Sequence, residues 1–203
     1  MSYGRASRRR FTLLAAPAAA VALALTLTAC GDNDNKAGGG GNTNFVTGSG
    51  GISTVAKADR KPAPKIDGET LDGEQLDVAD FKGKIVVLNI WGSWCGPCRL
   101  EAQYFSRVAK ETKDKGVEFV GINTRDARKD PAVKFEKDYG VPYPSIYDPI
   151  GKLMLRFPKG TLRPQAIPST VVLDREGKIA ARSLTALDAE NLHKMIDPLI
   201  AEK

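Results

Sequence analysis

Residues 89–101, NIWGSWCGPCRLE, set Cys95 and Cys98 three positions apart, where an apolar run gives way to a helical pattern. A thiol at a helix N-terminus faces unpaired backbone N–H groups and the positive end of the helix dipole. Its anion is stabilised there and its sulfur becomes a nucleophile. Cys95 is in that position. Cys98, about one helical turn on and on the same face, can attack a mixed disulfide on Cys95 and release the attached partner. Gly96 and Pro97 suit the turn between them, because a proline in the first helical turn has no N–H to satisfy. Such a pair cycles between dithiol and disulfide with no further cofactor and no metal. Three other uses of the spacing stand beside this one. A zinc site needs a second pair of ligands, and the chain offers one more cysteine, Cys30, and one histidine, His193. A structural disulfide suits an exported protein but would staple a very small loop. Two idle buried thiols would leave the position at a helix start without a purpose.

The elements that must hold this pair can be read around it. Residues 84–92, KIVVLNIWG, form a continuous apolar run with β-branched residues, which is the pattern of a buried central strand. From Pro97 to about Lys115, Leu100, Tyr104, Phe105 and Val108 recur at helical spacing and predict a helix with that apolar face. Residues 116–123, GVEFVGIN, read as a second buried strand, so strand, helix and strand make a parallel pair with a right-handed crossover. DPAVKFEKDYG (130–140) predicts a helix with Asp130 as N-cap, Pro131 at its first position and Gly140 as its stop. GKLMLRF (151–157) fits another short helix. Residues 168–184 read as strand, turn at Glu176-Gly177, and strand. The last segment is a helix that Pro198 shortens or kinks, with His193 an ordinary member. Upstream, KIDGETLDGEQL (65–76) reads as an edge hairpin.

Residues 1–29 carry arginines, then an apolar run, then small residues, the layout of a secretory signal peptide. SRRRF (7–11) resembles the twin-arginine export motif. LTAC (27–30) resembles the lipobox of bacterial lipoproteins, which implies cleavage before Cys30 and a lipid on its sulfur. The other reading is an uncleaved membrane helix near the lower length limit. Both hold the rest of the chain outside the cytoplasmic membrane. Residues 30–59 are rich in Gly, Asn, Ser and Thr and read as a flexible tether of roughly 30 Å span. Residues 60–203 then form one domain. The net charge of +6 includes four arginines of residues 1–29; without them, 26 basic residues face 24 acidic ones. That balance leaves no nucleic-acid footprint.

WCGPC (94–98) is the thioredoxin active-site pentapeptide, and over about residues 61–199 the chain resembles the TlpA/ResA/CcmG branch of the thioredoxin superfamily. The resemblance implies an α/β thioredoxin fold with an N-terminal β-hairpin extension and an insertion between Asn123 and Pro168. Where cytoplasmic thioredoxins have a buried aspartate, this chain has Asn89. Glu101, three residues after Cys98, matches the branch's acid, which implies proton exchange with the thiols; a solvated glutamate complementing the helix dipole is the plain alternative. Gln103 stands where the branch has a proline. AIPSTVVLD (166–174) matches the cis-proline loop, placing Pro168 after Ile167, beside the cysteines. Trp94, Gly96, Pro97 and Ile167 would then form the substrate-docking surface, while Trp91 packs.

The resemblance implies a thiol–disulfide oxidoreductase, anchored outside the cell membrane, that reduces protein disulfides. Cys95 is the expected nucleophile and Cys98 the resolving thiol. A membrane donor of CcdA/DsbD type is expected to restore the dithiol. Expected targets are the haem-binding cysteines of apocytochrome c or those of a copper-site protein. A disulfide-forming oxidant and a Sco-like copper chaperone are the alternatives.

Overall fold

The structure, a computed structural model, describes residues 43–202. The expected signal segment, the twin-arginine motif and Cys30 lie outside the described residues.

Strand β5 (Ile85–Trp91) is buried along its whole length. Its alternate side chains feed two cores: Val86, Leu88 and Ile90 enter one, Ile85 and Val87 the other. A strand of unbroken apolar residues demands cover on both faces, and the rest of the chain supplies it.

In chain order the elements are β1 (Val46–Thr47), β2 (Ile52–Thr54), β3 (Asp67–Glu69), β4 (Gln75–Asp77), β5, α1 (Gly96–Thr112), β6 (Val117–Thr124), α2 (Lys129–Tyr139), β7 (Ser145–Asp148), α3 (Lys152–Arg156), β8 (Ser169–Leu173), β9 (Ile179–Ser183) and α4 (Ala189–Ala201). Seven strands make one sheet in the order β1-β2-β9-β8-β5-β6-β7, and β3-β4 is a separate hairpin. β5, β6 and β7 run parallel, while β8 and β9 run antiparallel to their neighbours. Phe105 and Val108 of α1 and Leu192, Met195 and Ile196 of α4 cover one face of the sheet. Ile66, Val78, Leu153, Met154 and Phe157 cover the other. This is the thioredoxin fold with a leading hairpin, and α2, β7 and α3 fill the insertion between Asn123 and Pro168.

Four expectations need correction. The tether assigned to residues 30–59 is folded from Thr43 onward: β2 pairs with β9, Ile52 opposite Ser183, and Phe45, Ile52 and Val55 are buried. The domain therefore starts before residue 60. Arg60 then donates to both carboxylate oxygens of Glu202, at 2.7 and 2.6 Å, and to Asp174 at 3.2 Å, which ties this segment to the C-terminus. On α1 the buried face is Cys98, Glu101, Ala102, Phe105, Val108 and Ala109, whereas Leu100 is 69% exposed. Helix α2 begins at Lys129 with Arg128 as its N-cap and no side-chain cap. Asp130 and Pro131 sit inside the first turn, where the proline's missing N–H is still harmless. Gly140 does end that helix, at φ 57°. Finally, α4 runs through Pro198 to Ala201.

Candidate active site

β5 ends at Trp91 and the chain turns sharply before α1. Gly92 is required in that turn: a Cβ there would lie 2.7 Å from Trp94 Nε1 and 3.0 Å from Thr124 O. Cys95 N donates to Gly92 O at 3.0 Å, and Cys95 is the N-cap of α1, its Sγ accepting from Cys98 N at 3.2 Å. The helix start thus points an N–H at the Cys95 sulfur, the arrangement that stabilises a thiolate. Cys95 and Cys98 are disulfide-bonded with Cα atoms 5.3 Å apart. Both are buried, while Gly96 and Pro97 between them are exposed.

The Ile167–Pro168 bond is cis. Ile167 packs into the cluster of Trp91, Cys95, Cys98, Ala102 and Phe135, so the loop before β8 lies against the disulfide. Trp91 stacks on Phe135 with centroids 4.3 Å apart and donates from Nε1 to Ser145 Oγ at 3.2 Å, fixing the wall behind the cysteines. Trp94 is 48% exposed on the outer rim.

Glu101 follows Cys98 by one helical turn and points inward, 2% exposed. Oε1 accepts from Asn89 Nδ2 at 2.9 Å and Oε2 from Leu187 N at 3.0 Å. Burial raises its pKa from an ordinary 4.5 to about 8, against the pull of those two donors, which favour the charged form. The solvated-glutamate alternative does not describe this side chain. At neutral pH in the disulfide state the carboxyl holds its proton. Burial pushes the Tyr143 hydroxyl's pKa up, and Glu101, once ionised, pushes it further; Tyr143 shares with Asn89 and Cys98 the wall of a small cavity.

A second network escaped the sequence. Asp126, just past β6, accepts from Ser93 N at 2.8 Å and from Asn123 Nδ2 at 2.7 Å, and bonds Ser93 Oγ at 2.5 Å. It holds the turn before Trp94. Beside it, Arg125 has φ 60°, its guanidinium lies 5.1 Å from the Trp94 ring, and its Nη2 donates to Pro164 O at 2.9 Å. Arg99 donates to Ser93 O at 2.7 and 3.1 Å. The only hint in the sequence is that NTRD (123–126) follows the C-terminal end of a parallel strand, where α/β folds gather functional loops.

The structure does not bring His193 to this site. It bonds Asp197 and Glu111, and Glu111 lies at the far end of α1, roughly 20 Å along the axis from Cys98 at the helical rise per residue. Among the described residues no group of three or more His, Cys, Asp or Glu is arranged to hold a metal.

Comparison with known proteins agrees with this geometry. The family model Redoxin matches residues 57–196. The thiol-disulfide oxidoreductase ResA of Bacillus thuringiensis (strain Al Hakam) is 32% identical over 133 residues, 65% of this chain and 73% of that one. Among solved structures, a DsbF homologue from Corynebacterium diphtheriae is 40% identical with a TM-score of 0.69, covering 75% of this chain and 95% of its own. A secreted thiol-disulfide isomerase from Corynebacterium glutamicum is 34% identical with a TM-score of 0.72, covering 80% and 100%. With a cysteine pair joined at the start of α1, a cis-proline loop against it and a buried acid one turn on, the chain belongs to the Redoxin family, as a thiol–disulfide oxidoreductase of the TlpA/ResA/CcmG type.

Proposed function

We propose that the protein works outside the cytoplasmic membrane, held there by a lipid on Cys30, and reduces disulfides in other exported proteins. The observation that carries the thiol–disulfide exchange is the Cys95–Cys98 disulfide at the start of α1, with Glu101, a buried carboxyl, one turn from Cys98. Cys95 attacks as thiolate and breaks the target's S–S bond, forming a mixed disulfide and releasing one target thiolate. Cys98 gives its proton to Glu101 and attacks the Cys95 sulfur, releasing the second thiolate, which takes up a proton from solvent. Two electrons pass to the target and the Cys95–Cys98 disulfide remains. The proton left on Glu101 is returned to Cys98 on re-reduction. Pro168 and Ile167 hold the target chain beside Cys95, and Trp94, Gly96 and Pro97 form the exposed docking surface.

An oxidising compartment requires a reductant to restore the dithiol, and a membrane donor of CcdA/DsbD type fits. Haem-binding cysteines of apocytochrome c are the favoured targets, with copper-site cysteines second. The Corynebacterium glutamicum relative's description as secreted supports the location. The test is to replace Cys98 by Ser, express the protein in its host, and identify by mass spectrometry what is disulfide-linked to Cys95. Recovery of apocytochromes or a copper-site protein is expected. A potential well above that of glutaredoxins, about −200 to −230 mV, would make the protein an oxidant instead.

A further inference from the structure

Two arginines flank Trp94 beside the disulfide. Arg60, Lys65, Lys129 and Arg156, farther away, each have a carboxylate oxygen within 3.2 Å. Arg99 and Arg125 are in no ion pair among the described residues. Both guanidiniums are instead pinned to neutral carbonyls of the two loops that frame the cysteines. Arg99 holds Ser93 O, just before Trp94, and its own N–H donates to Cys95 O at 3.3 Å. Arg125 holds Pro164 O on the cis-proline segment and lies on the Trp94 ring. A carbonyl orients a guanidinium without neutralising it, and each arginine keeps N–H donors free for a planar anion.

The acids nearby are turned inward. Glu101 is buried and bonded to Asn89 and Leu187, and Asp126 is buried and bonded to Ser93 and Asn123. The backbone adds an independent sign. A φ of 60° at Arg125 is a conformation that favours glycine or asparagine, and a long side chain there persists only where its surroundings over-determine it. Asp126, the next residue, is fixed by Ser93 and Asn123, and Pro164 O and the Trp94 ring hold the Arg125 guanidinium on the rim.

We propose that this rim selects polypeptide targets whose cysteines are flanked by Asp or Glu, which Arg99 and Arg125 grip on either side of Trp94 while Cys95 attacks. The preference rests on the oxidoreductase reading but not on the direction of electron flow or on any particular target.

The experiment uses the reduced protein and two synthetic peptides. Each contains one oxidised Cys-x-x-Cys loop, one flanked by Asp and Glu and the other by Lys. Formation of the enzyme disulfide is followed by acid quench and mass spectrometry, and each rate is divided by that of dithiothreitol on the same peptide, which removes intrinsic differences between the two disulfides. At about 20 mM salt the acidic peptide should react about tenfold faster, and the ratio should fall below about threefold near 0.5 M salt. In the Arg99→Gln/Arg125→Gln double variant it should approach one. A ratio of one or less in the wild type at low salt overturns the proposal, as does a ratio that survives in a double variant with native circular dichroism. If that variant does not fold, the wild-type salt dependence decides: a tenfold ratio indifferent to salt also overturns it. Failure to exchange with either peptide would overturn the oxidoreductase reading as well, so the two failures are distinguishable.

Discussion

Asn89 Nδ2 lies 2.9 Å from Glu101 Oε1, so the residue that replaces the thioredoxin aspartate is spent on holding the glutamate that follows the cysteines. The other oxygen of Glu101 faces Leu187 N–H, which can only donate. Asn89 can donate through its amino group or, turned over, accept through its carbonyl. As placed, both groups donate to the carboxylate, and burial opposes them in holding the proton.

Removing this partner should move the acid. The Asn89 N–H favours the charged carboxylate, so Asn89→Ala is expected to raise the Glu101 midpoint from about 8 by about one further unit. Carbon-13 NMR of the Glu101 carboxyl, titrated in the oxidised protein, measures it directly. An unmoved midpoint in a folded variant would show that Asn89 does not control this proton.

Stability should carry the same signature. The folded chain keeps the Glu101 proton to about pH 8, whereas the unfolded chain loses it near 4.5. The native state thus binds more protons between those values, and stability falls as pH rises through this window. Glu101→Gln has no proton to lose and can still bond Asn89 and Leu187 N. Its advantage over the wild type, absent near pH 4, should reach about 3–5 kcal/mol above pH 8. Urea unfolding of the oxidised proteins at a series of pH values tests this.

Asp126 anchors the turn before Trp94 through three groups. Asp126→Ala is expected to lower stability by about 1–3 kcal/mol and to slow exchange with peptide disulfides, because Ser93 and Asn123 lose their support. Stability lost with exchange rates intact would show that the anchor matters to the fold alone.

Phe45 is buried, with the Arg182 guanidinium 4.1 Å from its ring centroid. Phe45→Ala should lower stability by about 3 kcal/mol, measured by thermal or urea unfolding. A residue in a flexible tether would show no such loss.

The central strands were legible because β5 and β6 are buried on both faces and advertise it as unbroken apolar runs. The cysteine pair, the glutamate one turn on and the proline at residue 168 were legible because short motifs carry them. The strands β1 and β2 were not. They are two and three residues long, lie among Gly, Ser and Thr, and owe their order to tertiary pairing, β2 with the edge of β9 and β1 with β2. Leu100 misled because helical spacing shows which residues share a face but not which face meets the sheet; Cys98, Ala102 and Phe105 decide that. β7 is four residues long and lies between Pro144 and Pro149, which break the strand pattern around it. The donors to Glu101 and Asp126 include the backbone N–H groups of Leu187 and Ser93, and no side-chain pattern announces a backbone partner delivered by tertiary contact.

Thr43 lines a small cavity with Lys61 and Ile179, and Ile179 pairs with Leu173, which pairs with Val86 near the beginning of β5. Cys95 follows the end of that strand. Thr43 thus sits at one pole of the sheet and the sulfurs at the other. A partner bound at the Thr43 pole would leave the reactive pole free to meet a second partner from the opposite side.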